Sequence, residues 1–205
     1  MKMIALLFLA ASLAGCAFGQ KHDYTLASPA LSSSSHKPLA VGVQDRRPYV
    51  LDHDKAESFV GIQRGGYGNP FDVSTQSGQP LAADMAKTLA SALGDATTVP
   101  ISPNQSRADA VRALQSFGKP ASLLLTLREW KVDTMIGATL HYDVTMEAIA
   151  ADGSVLAEKS TRGKDDIGSS AWNPTGMAEK AAPAAFKRKI EELFNGQISQ
   201  ALQAP

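Results

Sequence analysis

The most constraining stretch of this chain is a pair of long β patterns in its second half. Leu140, Tyr142, Val144, Met146 and Ala148 alternate with Thr139, His141, Asp143, Thr145 and Glu147. A period of two sends one set to a core face and the other toward water. The preceding run, Ser122 to Thr134, carries Leu123-Leu124-Leu125, apolar at successive positions as in a strand buried on both faces. Ile136-Gly137-Ala138 is the expected turn between the two. Asp152-Gly153 is a tight-turn pair leading to a third strand, Val155 through Thr161.

The remaining elements must cover that sheet. A short strand, Leu39-Ala40-Val41-Gly42-Val43, ends at Asp45-Arg46-Arg47-Pro48. After Tyr49-Val50-Leu51 and the polar turn Asp52-His53-Asp54-Lys55, a second strand-like run spans Ser58 to Ile62 and enters a Gly-rich loop reaching Phe71. Leu81, Met85, Leu89 and Ala92 or Leu93 fall on one helical stripe, predicting a helix from about Gln79 to Leu93 with Gly94 as its cap. A brief strand from Ala96 to Ile101 follows. Ser106 with Asp109 three residues on is a capping-box variant opening a second helix, with Val111, Leu114 and Phe117 on its buried face. Gly163 to Trp172 reads as a loop. Asn173-Pro174 opens a long helix to about Leu202, with Pro183 near its start and last turns that either fray or meet a partner. This order predicts an α+β fold: a mostly antiparallel sheet packed on one face by helices, a two-layer sandwich.

The N-terminus speaks of location. Lys2 is followed by an apolar run from Ile4 of about a dozen residues, shorter than the roughly 20 that a spanning helix needs. It ends at Leu13-Ala14-Gly15-Cys16, which resembles the lipobox of bacterial lipoproteins. That resemblance implies cleavage before Cys16 and lipid on its thiol. Ala17, where inner-membrane retention would favour aspartate, implies an outer-membrane destination facing the periplasm. Cys16 is the only cysteine in the 205 residues, so no intramolecular disulfide competes for it. The expected organisation is a signal peptide over 1–15, the lipidated cysteine and a flexible tether over 16–38, and one domain over 39–205. Ser32 to Ser35 and the prolines at 29 and 38 motivate the tether. Lysine plus arginine and aspartate plus glutamate number 20 each. That balance lacks the basic footprint of a nucleic-acid binder, and leaves lipid as the membrane attachment.

Candidate chemistry is sparse. Of the four histidines, His22 and His36 fall in the expected tether, His53 in a polar turn and His141 on the polar side of a strand. No Gly-x-Ser-x-Gly elbow is present, and Asp52-His53-Asp54 lacks the spacing that converges ligands on a metal. Gly65-Gly66-Tyr67-Gly68 lacks the Lys-Ser/Thr of a phosphate loop and reads as a hairpin or loop. The chain is therefore expected to be no enzyme and to need no cofactor or metal. Arg46, Arg47, Arg64 and Tyr67 form a candidate edge for an anion or a partner, set against a plain solvated rim with local Asp45 pairing.

Val41-Gly42-Val43-Gln44-Asp45-Arg46-Arg47 and the helix after Pro80, behind a lipobox, resemble the YajG-like envelope lipoproteins. More loosely, the chain resembles the lipoprotein partners of ABC-type lipid transport systems. The resemblance implies a non-catalytic accessory or assembly component, acting with an envelope protein or a second copy of itself. The competing expectation is a binding module for a small lipid or glycan fragment.

Overall fold

The computed structural model describes residues 19–31, 38–94 and 96–203. Cys16 and the lipobox residues Leu13, Ala14 and Gly15 lie outside them. Eight strands form one mixed sheet around β6 (Ala121–Thr134) and β7 (Gly137–Ala150), which pair antiparallel along their whole lengths. β8 (Val155–Ser169) lies antiparallel on the far side of β7. The other flank of β6 is shared. Its first half pairs parallel with β2 (Leu39–Asp45), and its last residues pair parallel with β3 (Phe59–Arg64). β5 (Thr97–Val99) extends the β2 branch, and β4 (Pro70–Thr75) followed by β1 (Lys21–His22) extends the β3 branch, with the one-turn helix α1 (Pro48–Leu51) between β2 and β3.

The expected mostly antiparallel two-layer sandwich is therefore corrected to a branched, mixed sheet covered by helices on both faces. Parallel pairing explains why β2 is buried at every position and, through Val43, apolar on both sides rather than alternating. Leu39, Val41, Val43, Leu123, Leu125 and Leu127 face α2 (Leu81–Ala92) and the long α4 (Pro174–Leu193) in the main core. Ala40, Leu124 and Ile149 face the other way, against Ala110, Val111 and Leu114 of α3 (Arg107–Gln115). The Leu123-Leu124-Leu125 run thus feeds two cores at once.

Several boundaries moved. β8 continues through residues read as a loop after Gly163, because its polar, half-exposed edge positions carry little apolar signal. α3 does begin at a Ser106–Asp109 capping box, but Phe117 lies beyond its end and is 43% exposed. The C-terminal helix is interrupted at Asn195 and Gly196, where Gly196 adopts φ +112°. The chain then resumes as α5 (Ser199–Gln203), whose Leu202, with the preceding Ile198, is buried in the main core rather than frayed or left for a partner.

The largest departure is at the N-terminus. Residues 19–31, expected in the tether, are built into the fold. Tyr24 is fully buried, edge-on to Trp130 and Phe186 at 6.2 and 5.8 Å. The Trp130 indole N–H donates to its hydroxyl at 3.0 Å, and Thr88 Oγ donates to its carbonyl at 3.0 Å. The Ala30 N–H donates to Glu191 at 2.6 Å, while Asn195 donates to the Ala30 carbonyl at 3.1 Å. One aromatic residue in a polar stretch has no period to reveal it, yet Tyr24 fills the centre of the core.

Candidate functional site

The four residues expected on one edge occupy three separate places. Arg47 is fully buried where β6 exchanges β2 for β3 as its neighbour. There the β2 ladder ends, with the Arg46 N–H donating to the Leu127 carbonyl at 2.7 Å, and a bulge at Leu127/Glu129 turns β6. A fork of this kind leaves backbone carbonyls without ladder partners, which burial makes costly. Arg47 donates to three of them, NH1 to Phe59 O at 2.6 Å and Trp130 O at 3.3 Å, and NH2 to Glu57 O at 3.2 Å; Trp130 O also accepts from the Tyr49 hydroxyl and Glu57 O from the Leu81 N–H. Its Nε and NH2 also hold both oxygens of the buried Asp45, at 2.8 and 2.6 Å. Burial disfavours its charge, but the hydrogen bonds and charge of Asp45 more than offset this, and the guanidinium pKa lies above its ordinary value. Arg47 is an internal staple. It is not open to a ligand.

Arg64 sits at the end of β3, where it forks onto Asp133 at 2.9 and 2.7 Å. Tyr67 stands at the tip of the β3–β4 hairpin, 99% exposed. Of the four, Arg46 alone belongs to a groove.

That groove lies on the α3 face of the sheet, beyond the N-terminus of α3, and encloses about 460 Å³. Its floor is one cross-strand row: Gln44 on β2, Thr126 on β6, Thr145 on β7 and Ser160 on β8 are in register. Gln44, Thr126 and Thr145 are buried, as is Glu147 at 3% exposure. Thr145 Oγ and Ser160 Oγ share a hydrogen bond of 2.8 Å. Three arginines line the groove. Arg107 grips Glu147 through Nε and NH2, an interaction that raises the Arg107 pKa above its ordinary value. Arg128 donates to Thr145 Oγ at 2.7 Å, and Arg46 donates to Pro103 O at 3.0 Å. Gln44 Nε2 donates to Gln105 O at 2.7 Å, which ties the loop before α3 to the floor.

Such a groove presents fixed cationic forks and hydroxyl or amide groups, which suit a carboxylate or another hydrogen-bonding group. Reading by period placed Glu147 and Thr145 on a water-facing side and passed over Gln44. The available signal was Gln44 closing an apolar strand, but only the β2–β6–β7 register joins it to Thr126 and Thr145.

A second groove of about 540 Å³ separates α2 from β5, lined largely by Val43, Ala82, Ala86, Val99, Pro100 and Ile101. His141 lies on the outer face of β7, half-buried. Burial, then the nearby Lys131 and Lys164, lower its pKa. His53 occupies a turn at φ +61°. His22, expected in the tether, is instead 4% exposed on β1. Among the described residues no three His, Cys, Asp or Glu side chains cluster as metal ligands would, and no helix is long and apolar enough to cross a membrane.

No family model and no curated protein matches the chain. Weaker likenesses among solved structures are the PelC dodecamer of Paraburkholderia phytofirmans and the LpoB C-terminal domain of Salmonella enterica. The first has a TM-score of 0.39 at 16% identity, over 82% of this chain and 94% of that one. The second has 0.33 at 14%, over 69% and 97%. Protein XCC0632 of Xanthomonas campestris, of the DUF330 family, aligns over 89% of this chain and 95% of its own at 11% identity and a TM-score of 0.51, and it is the fold of that protein that this chain resembles.

Proposed function

We propose that this chain is a lipid-anchored, non-catalytic accessory protein of the bacterial envelope, held through Cys16 on the outer membrane and facing the periplasm. It engages an envelope partner through the arginine-lined groove. The observation that carries the reading is the row Gln44–Thr126–Thr145 with buried Glu147 beneath Arg46, Arg107 and Arg128. A sheet face that needed only to pack would be apolar, as the same face is under α3. Here a buried polar floor lies beneath guanidinium groups that stay open to solvent, the Arg107 and Arg128 side chains each being 52% exposed, an arrangement that favours recognition of an acidic segment. The lipobox pattern Leu13-Ala14-Gly15-Cys16 and the YajG-like segment Val41–Arg47 support the envelope setting.

Cross-linking in intact cells, then recovery from detergent-solubilised envelope, tests the partner. A discrete adduct with the parent protein that disappears in Arg46→Ala/Arg128→Ala is expected; recovery of the protein alone refutes it. Cys16→Ser tests the anchor, with an uncleaved, unlipidated precursor expected and unchanged processing refuting it. The α2–β5 groove supports a second reading, a site for a small apolar envelope ligand, since its volume lies within the usual span of about 300–1,000 Å³ for such sites.

A further inference from the structure

One end of the sheet gathers three loop tips. Arg64 is opposite Pro70, Gln63 is opposite Thr134 and Gly137 is opposite Ser169, so the β3–β4 hairpin, the β6–β7 turn and the end of β8 are level with one another. The Ser170 N–H closes the cluster by donating to Ile136 O at 2.9 Å. These tips carry Tyr67 at 99% exposure, Trp172 at 98%, Ile136 at 59% and Met135 at 45%. Elsewhere Leu26 is exposed on a flank, and Phe117, Val155 and Leu156, near the opposite end, are exposed about as far as Met135, with no ring or side chain there as open as Tyr67 or Trp172.

The path of the chain says what covers these tips. β1 runs parallel to β4, with Lys21 opposite Ser74, and β4 starts at the tip end with Pro70. Walking back from Lys21 to Gly19 therefore leads toward the same three tips. Cys16 is only three residues before Gly19, a span of at most ~11 Å. A lipid on Cys16 must enter its bilayer close to this end of the domain.

We propose that this end docks flat on the lipid surface that holds Cys16, with Tyr67, Met135, Ile136 and Trp172 seated among the headgroups. The proposal rests on the lipidation of Cys16. Tyrosine and tryptophan, each an apolar ring with one polar group, concentrate at the membrane–water interface. Four side chains spread over three loops make separate contacts, which suit a deformable surface better than a shaped protein pocket. The charges beside them, Arg64 and Asp133, are already paired at 2.7 Å. The short covalent leash raises the effective concentration of bilayer at the tips, so weak contacts suffice.

The test uses the lipidated protein purified from envelope and reconstituted into vesicles of phosphatidylethanolamine and phosphatidylglycerol, with or without nitroxide-labelled acyl chains. The chain has two tryptophans, and the other, Trp130, is 1% exposed in the core. The expected result is a blue shift of emission on vesicles and quenching by shallow nitroxides, both abolished in Trp172→Phe and weakened in Tyr67→Ser/Ile136→Ser. Protein that floats with the vesicles, carries acylated Cys16 by mass, and shows no quenching overturns the docking while leaving the anchor intact. Quenching that persists in Trp172→Phe overturns it too. A mass showing unmodified Cys16 overturns both.

Discussion

Replacing Arg47 with methionine should be among the most damaging single changes in this protein. The variant keeps the volume of the aliphatic stem but removes every guanidinium donor at the fork between β2 and β3. The Asp45 carboxylate, 1% exposed, loses both of its side-chain hydrogen bonds, and the carbonyls of Glu57, Phe59 and Trp130 lose a donor each. Breaking a buried pair by removing one partner costs about 3–5 kcal/mol, and the donor lost from the Phe59 carbonyl adds to it, while Glu57 O keeps the Leu81 N–H and Trp130 O keeps the Tyr49 hydroxyl. Domains of this size are stable by about 5–15 kcal/mol, so a large part of that margin is at stake. Urea unfolding of a soluble form beginning at Gly19, followed by circular dichroism and by Trp130 emission, measures the loss. The double variant Asp45→Leu/Arg47→Met separates the two contributions. It removes the stranded charge but does not return a donor to the Phe59 carbonyl, so it should recover part of the loss and remain about 1–3 kcal/mol below the parent. A loss under about 1 kcal/mol for Arg47→Met would refute the staple.

Three further outcomes follow from the same structure. His22 is 4% exposed, its Nδ1 has no hydrogen-bond partner, and burial lowers its pKa from 6.5 to about 4. The unfolded chain binds the proton more readily, so this contribution is complete above pH 6.5 and is lost as pH falls toward 4. It amounts to roughly 3 kcal/mol, and urea midpoints across that window should flatten in His22→Leu. Tyr24→Phe should cost about 1 kcal/mol through the lost Trp130 bond. Tyr24→Ala should cost about 3–5 kcal/mol and expose residues 19–31 to proteases, read by the mass of the first fragment. A Cβ on Gly61 would stand 2.2 Å from the Val132 carbonyl oxygen, a backbone atom that has nowhere to go. Gly61→Ala should therefore destabilise by about 1–3 kcal/mol in the same urea assay, although glycine inside a strand ordinarily costs roughly 0.5–1 kcal/mol relative to alanine.

The β6–β7 pairing was legible in the sequence because β7 carries period two over many residues and β6 a run apolar on both faces, and the capping box at Ser106 and the turn at Gly153 are local chemistry. The branching was not. It depends on which flank of β6 the strands β2 and β3 share, and Asp45 and Arg47 disclose their role only once the fork exists. The groove was hidden for the same reason, since Gln44, Thr126 and Thr145 lie far apart in sequence and meet through register. Tyr24 shows the opposite failure: composition called its surroundings polar, while a single buried ring is enough to tie down a segment.

The docking of β1 beside β4 gives the domain two mechanical lengths. A pull on the N-terminus toward the tip end runs along the strand axis, so it shears the two residue pairs of β1 instead of peeling them one at a time. Behind them the load falls on Tyr24, locked between Trp130 and Phe186. While that lock holds, three residues join Cys16 to the fold. Once it slips, the next fixed strand is β2 at Leu39, and the N-terminal segment can extend by up to ~70 Å while the other seven strands stay paired. Tyr24 is thus a catch between a short arm and a long one.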